Sequence, residues 1–409
     1  MRLAITFPYT LGTPGGGTRD CLQLAWHLGQ AGIEVIVIPV LSGGHTHFPR
    51  PKIPLEAHGQ EQTAWLAEVG VEVRPVQPNP FHYLLEGLAV KRAVQALHAE
   101  KPLDAVLGYT FEMMFLGSFL RREGIAYGIN AAGSYRRDFF DLGRGPKAWL
   151  KRWKAGKTLA QPMRDADVVL ARSAFTRQEV IEVTGVRPER VEVVHLGVES
   201  DLSDLPRELE ASIERLLFFG SFRKEKGLDD ALIALGLLAA ENPAPWTLRV
   251  AGWGDIEAFG ARARELGIGE RIEFVGPLAR AELREALGWA QVVIMPSHGE
   301  SFGLANAEAQ TAGLPVIAFD VAAVPEVVAA GETGWLPPLG DHAALAAAIG
   351  EALADPAETH KRGMAGRKRM LEGFSWQQTA LKTQRALELQ VSRLEGQNAA
   401  QPADAQSKR

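Results

Sequence analysis

The chain has a single cysteine, Cys21, among its 409 residues, so it cannot form an internal disulfide and fits a reducing compartment. Its net charge is only −5, which gives no global basic field that would recruit nucleic acid. It lacks an apolar run of the roughly 20 residues that a membrane span needs. The apolar segment at residues 3–7 is too short for a signal peptide. These absences predict a cytoplasmic protein that does not bind nucleic acid.

The composition is that of a globular protein, with 46% hydrophobic and 23% charged residues, and the length suits two domains. Short apolar segments alternate with helical patterns in two successive series, which predicts two doubly wound parallel sheets with a cleft between them. The predicted strands are 3–7, 34–38, 71–73, 105–107, 126–129, 168–170 and 191–194, then 215–219, 247–251, 272–275, 292–295, 316–318 and 334–336. An acidic, proline-containing linker is predicted at residues 199–210.

The most informative segment follows the predicted strand at 292–295. Glu300 and Glu308 are separated by seven residues and flank a turn that contains glycine. Eight helical steps rise about 12 Å, so these carboxylates cannot share one proton or one metal but can hold two ends of an elongated ligand. Carboxylates suit vicinal hydroxyls, and the N–H groups of residues 302–304 suit an anion between them, because helix N-termini attract phosphate. The segment therefore favours a nucleotide sugar as ligand.

With these residues the chain resembles the family-4 retaining glycosyltransferases of the GT-B fold. Glu300 and Glu308 match the Glu-x7-Glu motif of that family, and residues 313–318, 325–328 and 331–336 fit the same template. The resemblance implies an α/β protein with two Rossmann-like domains that face across a cleft. The predicted boundaries are 1–200 for the acceptor-side domain, 211–375 for the donor domain, 376–395 for a helix that returns to the first domain, and 396–409 for a disordered tail.

The loop at residues 218–227 supplies candidate cations for the diphosphate. Lys226 with Gly227 matches the Lys-Gly pair of the family, whereas Ser221 stands at the position of the family arginine. Arg223, two residues further on, is the candidate substitute. We expect Lys226 and Arg223 to stabilise the departing diphosphate, together with the N–H groups of Phe302, Gly303 and Leu304.

Further candidates follow other predicted strands. Glycines of the loop at residues 12–18 allow close approach to a phosphate, and the resemblance makes Gly16 and Gly17 donor-binding candidates. Gly252 lies in a Gly-x-Gly turn whose Trp253 either walls a base pocket or packs as part of a structural turn. Asn130 occupies the position of a family histidine near the reacting sugar, and can donate a hydrogen bond but cannot titrate near neutral pH.

One further departure from the family pattern concerns a loop. Ala322 and Ala323 stand where the family tends to have a Gly-Gly pair. His298 and His195 are interpreted as hydrogen-bonded loop residues.

Residues 146–157 form a basic stretch with two tryptophans. It is either a surface helix whose Trp and Leu face the core or a helix that lies on an anionic membrane, at the inner face in a cytoplasmic protein.

The sequence thus predicts a retaining hexosyltransferase that uses a nucleoside-diphosphate sugar and an unidentified acceptor hydroxyl, with no metal and no other cofactor. Glu308 is expected to hold the ribose and Glu300 the sugar hydroxyls. Two alternatives stay open: a nucleotide-sugar epimerase, which would convert its substrate without an acceptor, and a non-catalytic binding protein, which would bind nucleotide without transfer.

Overall fold

The computed structural model describes residues 1–12, 15–41, 55–77, 86–109, 111–133, 145–241 and 244–399. The chain divides into two units: residues 1–195 together with the helix that begins at Trp376, and residues 196–375. Each unit is built on one parallel sheet, as predicted.

The first unit contains a seven-stranded sheet with strand order β3-β2-β1-β4-β5-β6-β7. Its strands are β1 (Arg2–Phe7), β2 (Glu34–Pro39), β3 (Glu72–Val73), β4 (Ala105–Gly108), β5 (Ala126–Ala131), β6 (Val168–Ala171) and β7 (Val191–Val193). Its helices are α1 (Gly16–Gln30), α2 (Leu55–Ala67), α3 (Glu86–Glu100), α4 (Gly117–Glu123), α5 (Pro146–Ala155), α6 (Gln161–Asp165) and α7 (Ala174–Thr184).

Helices cover both faces of this sheet because β1 and its neighbours are apolar on both faces. Leu3, Ile5 and Phe7 of β1 belong to one buried cluster that includes Leu24 of α1. Ala4 belongs to the cluster on the opposite face, together with residues of α3 and α4. This alternation is what a doubly wound sheet requires.

The second unit contains a six-stranded sheet with strand order β10-β9-β8-β11-β12-β13. Its strands are β8 (Arg215–Phe219), β9 (Thr247–Ala251), β10 (Ile272–Gly276), β11 (Val292–Ile294), β12 (Val316–Ile317) and β13 (Gly334–Trp335). Its helices are α8 (Leu228–Glu241), α9 (Ile256–Glu265), α10 (Arg280–Trp289), α11 (Leu304–Thr311), α12 (Val324–Val327), α13 (His342–Ala354) and α14 (Pro356–Gly373).

The predicted linker is packed onto the second unit. Leu202 and Leu205 are buried, and the Arg207 guanidinium donates to the carbonyl oxygens of Ala312 at 2.7 Å and Ala290 at 2.8 Å. Leu202 and Leu205 thus anchor the segment 199–210, although its acidic composition predicted only a linker.

The last helix, α15 (Trp376–Ala399), belongs to the first unit, where Ala386 and Leu387 join the cluster beneath α1. It continues past residue 396, where the tail was predicted to begin, and ends at Ala399. The rest of the predicted tail, residues 400–409, lies outside the described residues.

Candidate functional site

The turn between β11 and α11 presents a helix N-terminus without a side-chain cap. Gly303 precedes the helix with φ +95°, and it offers no side chain to cap the first turn. Within the described part of the chain, the N–H groups of Gly303 and Leu304 donate no hydrogen bond. Phe302 is buried, and its ring centroid lies 5.7 Å from that of Phe374, which fixes the turn against the core. Such a turn can accept an anionic group.

Lys226 and Glu300 meet beside this turn. The Lys226 Nζ donates to Glu300 Oε1 at 2.7 Å, and the two side chains are 25% and 15% exposed. The pair is therefore partly shielded from water, but both side chains remain accessible to a ligand.

Close backbone packing brings these two loops together. Gly227 has φ +76°, and a Cβ atom there would lie 1.9 Å from the Pro296 carbonyl oxygen. The His298 N–H also donates to the Glu225 carbonyl oxygen at 2.9 Å. Glycine is therefore required after Lys226 for a steric reason, because only glycine permits the close backbone contact that places Lys226 beside Glu300.

Arg223 does not join this pair. Its guanidinium lies 3.4 Å from the carboxylate of Glu225 on its own turn, and the side chain is 60% exposed. The structure thus places Lys226, and not Arg223, beside Glu300.

Glu308 is held by an arginine that sequence reasoning missed. The Arg280 Nη1 donates to Glu308 Oε1 at 2.6 Å, and the Glu308 side chain is only 9% exposed. The same guanidinium pairs with Asp201 at 2.6 Å and with Glu199 at 2.7 Å. Burial lowers the pKa of Arg280, but the hydrogen bond to Asp201 and the charges of Glu308 and Glu199 outweigh it, so the pKa is raised.

A local anomaly in the sequence could have revealed Arg280. It is the first residue of α10, where the helix dipole disfavours a cation. A positive charge at that position needs nearby acids, and three of them surround it.

Glu300 and Glu308 are not separated by eight helical steps, as the sequence predicted. The estimate of about 12 Å assumed eight helical steps, but α11 begins only at Leu304, so Glu300 lies before the helix. The two carboxylates nevertheless have different cationic partners, Lys226 and Arg280. They are two separate charged positions of one turn and helix.

Gly252 has a packing role. Its φ is +143°, and a Cβ atom there would lie 1.6 Å from the Gly220 carbonyl oxygen. Trp253 is half-buried, and its carbonyl oxygen accepts from the Phe222 N–H at 2.9 Å. These contacts join the ends of β8 and β9, which favours the structural interpretation of this turn.

Of the two loop histidines, His298 is hydrogen-bonded through its imidazole, as predicted, whereas the contact of His195 is made by its main-chain carbonyl. His298 Nε2 lies 2.8 Å from Asp230, which also contacts His342 Nε2 at 2.8 Å. The His195 carbonyl oxygen accepts from Thr379 Oγ1 at 2.8 Å.

In the first unit, Gly16 and Gly17 are the first two residues of α1. A Cβ atom at Gly17 would meet nothing within 4 Å, so its backbone is open to approach. Thr13 and Pro14 of the predicted glycine loop lie outside the described residues.

Asn130 lies at the end of β5 and is fully buried. Its amide lies next to the buried Tyr109 hydroxyl, and neither group makes a well-aligned hydrogen bond in the parts of the chain that the structure describes. Arg172 and Asp20 form a fully buried ion pair in the same unit, at 2.7 Å. Tyr109 interacts with Asn130, Asp20 and Arg172, so Asn130 lies in a buried polar cluster, and its contact with a sugar hydroxyl stays a prediction.

Residues 1–12, 15–41, 55–77, 86–109, 111–133, 145–241 and 244–399 contain no group of three or more His, Cys, Asp or Glu that could hold a metal ion. Across those same ranges, every helix is too short or too polar to cross a membrane.

Two family models match the chain: Glycosyltransferase Family 4 over residues 14–202 and Glycosyl transferases group 1 over residues 208–369. Glycogen synthase from Mycobacterium tuberculosis is 33% identical over 225 residues, which is 54% of this chain and 54% of that protein. The chain thus spans about half the length of such curated relatives.

Solved structures share the fold over nearly the whole chain. Sucrose-phosphate synthase from Thermosynechococcus elongatus has a TM-score of 0.73 at 21% identity, covering 96% of this chain and 99% of that one. Anabaena HepE, in complex with UDP and glucose, has a TM-score of 0.71 at 18% identity, covering 94% and 99%. The chain belongs to the family-4 glycosyltransferases, and it has the GT-B fold.

Proposed function

We propose that the protein transfers a hexose from a nucleoside-diphosphate sugar to an acceptor hydroxyl with retention of anomeric configuration. One observation carries the proposal: two carboxylates, Glu300 and Glu308, each paired with a cation, flank the uncapped N-terminus of α11. Family membership and the UDP and glucose bound by HepE support it.

The two ends of this arrangement suit the two ends of a nucleotide sugar. Glu308 accepts hydrogen bonds from the ribose hydroxyls, and Glu300 accepts them from the hexose. The N–H groups of Gly303 and Leu304 donate to the diphosphate between them.

Binding then exchanges partners within the Lys226–Glu300 pair. The ammonium turns to the diphosphate, and the sugar hydroxyls replace it at the carboxylate. Arg280 stays near Glu308 and reduces the repulsion between that carboxylate and the diphosphate.

In the transfer step, the bond from the anomeric carbon to the diphosphate oxygen breaks, and a bond to the acceptor oxygen forms on the same face. The acceptor proton passes to the departing phosphate oxygen. Lys226 and the N–H groups stabilise the charge that develops on this leaving group.

A first experiment identifies the donor. The melting temperature is measured with UDP-, GDP- and ADP-glucose, because a ligand that binds only the folded state raises it. With the stabilising donor, Glu308→Ala should lose about 1–3 kcal/mol of affinity, since the ribose hydroxyls lose their acceptor. Glu332→Ala, at an exposed glutamate of the same unit, is the matched control and should keep full affinity.

The reaction is tested by product analysis. NMR of the product of an α-linked donor should show an α-linkage. A β-linked product would exclude retention, and conversion of the donor to an epimer without any acceptor would exclude transfer as the primary reaction.

A further inference from the structure

Helix α5 carries three large apolar side chains that face solvent. Trp149 is 65% exposed, Leu150 56% and Trp153 54%. The buried residues of the helix are Ala148 and Ala155. The helix thus rests on the first unit through two small side chains, and its large apolar side chains point outward. This contradicts the interpretation in which Trp and Leu face the core.

The exposed residues form one continuous stripe. At about 100° per residue, the two alanines lie at nearly the same angle, and the two tryptophans and Leu150 occupy an arc of roughly 100° on the opposite side. Single exposed apolar residues are ordinary, but an arc of two tryptophans and a leucine is a contiguous apolar surface.

Cations border this arc. Residues 146–157 contain Lys147, Lys151, Arg152, Lys154 and Lys157, and no acidic residue. Lys147, Lys151 and Lys157 are exposed. A helix with Trp and Leu on one side and Lys and Arg around it is typical of helices that lie in a membrane interface.

We propose that α5 docks the protein onto a bilayer surface rich in anionic phospholipid. Trp149, Leu150 and Trp153 enter the boundary between headgroups and acyl chains, and the flanking lysines contact the lipid phosphates. Lysine is depleted at protein–protein interfaces, so its density beside the tryptophans favours a lipid surface over a protein partner.

The position of α5 in the fold gives this docking a consequence. The helix lies on the connection between β5 and β6, which leaves the sheet at its carboxyl edge after Ala131. The α1 helix, which begins with Gly16 and Gly17, also starts from the carboxyl edge of the sheet, after β1. Docking through α5 therefore brings the first unit to the lipid surface.

The test is sedimentation of the purified full-length protein with vesicles, without nucleotide or acceptor. Wild type should bind vesicles that contain phosphatidylglycerol and not vesicles of phosphatidylcholine alone. Binding should weaken as salt rises, because charge attraction is screened beyond ~10 Å at ~0.1 M ionic strength. Vesicles with brominated acyl chains should quench part of the tryptophan fluorescence.

Two variants separate the charge from the apolar stripe. Lys147→Gln/Lys151→Gln/Lys157→Gln should weaken binding by about 100-fold, at roughly 1 kcal/mol for each lysine near the surface. Trp149→Ser/Trp153→Ser should weaken binding about tenfold or more and abolish the quenching. Both should keep the melting temperature, since the replaced side chains are exposed.

Matched controls change exposed residues on other helices. Lys361→Gln/Lys368→Gln/Lys382→Gln removes the same charge, and Leu371→Ser/Leu389→Ser removes exposed apolar side chains from α14 and α15. Neither should alter binding. The proposal is overturned if wild type ignores anionic vesicles at low salt, or if the controls lose binding equally. It is also overturned if the tryptophans instead hold a dimer that Trp149→Ser/Trp153→Ser dissociates.

Discussion

Replacing Lys226 with methionine tests the central charge of the proposed mechanism. Methionine keeps a comparable length but removes the ammonium that lies 2.7 Å from Glu300 Oε1. In the transition state the departing diphosphate gains charge, and loss of one fixed donor to such a charge costs about 3–4 kcal/mol, or 10²–10³ in kcat. The bound donor loses less, about 1–3 kcal/mol, because its charge is already spread over two phosphates. Lys226→Met should therefore lower kcat more than it raises KM.

Lys226→Met should also lower the free energy of unfolding, by an amount that depends on how exposed the Lys226–Glu300 pair is. Exposed ion pairs contribute about 0–1 kcal/mol, and loss of one partner of a buried pair costs about 3–5 kcal/mol. Side chains that are 25% and 15% exposed lie between these cases. The unfolding free energy should fall by about 1–2 kcal/mol, which leaves the protein folded at 25 °C.

The assay measures release of nucleoside diphosphate from the donor, with calorimetry for donor affinity. Lys224→Met is the matched control, because Lys224 is exposed and lies on the same turn. Arg223→Met should also change kcat little, since its side chain is 60% exposed. The reasoning fails if Lys226→Met changes only KM, or if Lys224→Met reduces kcat equally.

Three further substitutions test the backbone conformation of the second unit and a buried charge in the first unit. Gly252→Ala places a Cβ atom 1.6 Å from a carbonyl oxygen at φ +143°, so urea unfolding should show a loss of at least about 3 kcal/mol, and a variant of normal stability would contradict this packing role. Ala322 has φ +52°, a conformation that costs a residue with a Cβ atom about 1–2 kcal/mol. Ala322→Gly removes that cost but stabilises the unfolded state by about 0.4–1 kcal/mol through its greater conformational entropy. The melting temperature should therefore rise slightly, and a fall would argue against strain at Ala322. Burial, together with a nearby carboxylate, raises the pKa of Glu86 from 4.5 to about 7, so the folded protein binds more protons than the unfolded chain between these values, and stability falls as pH rises through this window. Glu86→Gln removes that fall, so it should be more stable than wild type by about 1–3 kcal/mol at about pH 8 but not at about pH 4, and an equal difference at both pH values would refute the shift.

The strands and the Glu300–Glu308 segment were predictable from the sequence because their signals are local. Residues 292–295 are a short apolar run that Pro296 follows, and Gly303 marks the start of α11. Such signals depend on neighbours within a few positions, and they define which backbone N–H groups remain without intrahelical partners.

The partners of the site carboxylates were less predictable because they come from distant parts of the chain. Arg280 joins Glu308 to Asp201, which is 79 positions away from Arg280. That contact depends on the buried Leu202, which packs residues 199–210 against the second unit, while the composition of that segment indicated only a connector. Pairings of this kind are decided by tertiary packing.

The type of a residue also did not predict whether its side chain is buried or faces solvent. Asn130 is polar and fully buried, whereas Trp149 is 65% exposed. For Asn130 the neighbouring strands leave no surface, because β5 lies between β4 and β6. For Trp149 the small side chains of Ala148 and Ala155 occupy the packed face of α5, and the large ones are left outside. The pattern of small residues on a helix thus indicated its buried face better than hydrophobicity did.

The pre-paired charges bear on how the proposed donor binds. Lys226 is neutralised by Glu300, so a nucleoside diphosphate that attracts Lys226 leaves this carboxylate without a partner at 15% exposure. A nucleotide sugar attracts the same ammonium but brings hydroxyl groups that donate to Glu300. The diphosphate alone therefore provides a new partner only for Lys226, whereas the nucleotide sugar provides new partners for both Lys226 and Glu300. Under the proposed mechanism, the sugar departs with the acceptor after transfer, and the Glu300 carboxylate, again without a partner, competes with the diphosphate for the Lys226 ammonium. In the proposed mechanism, the pair that assists bond cleavage thus also favours release of the product.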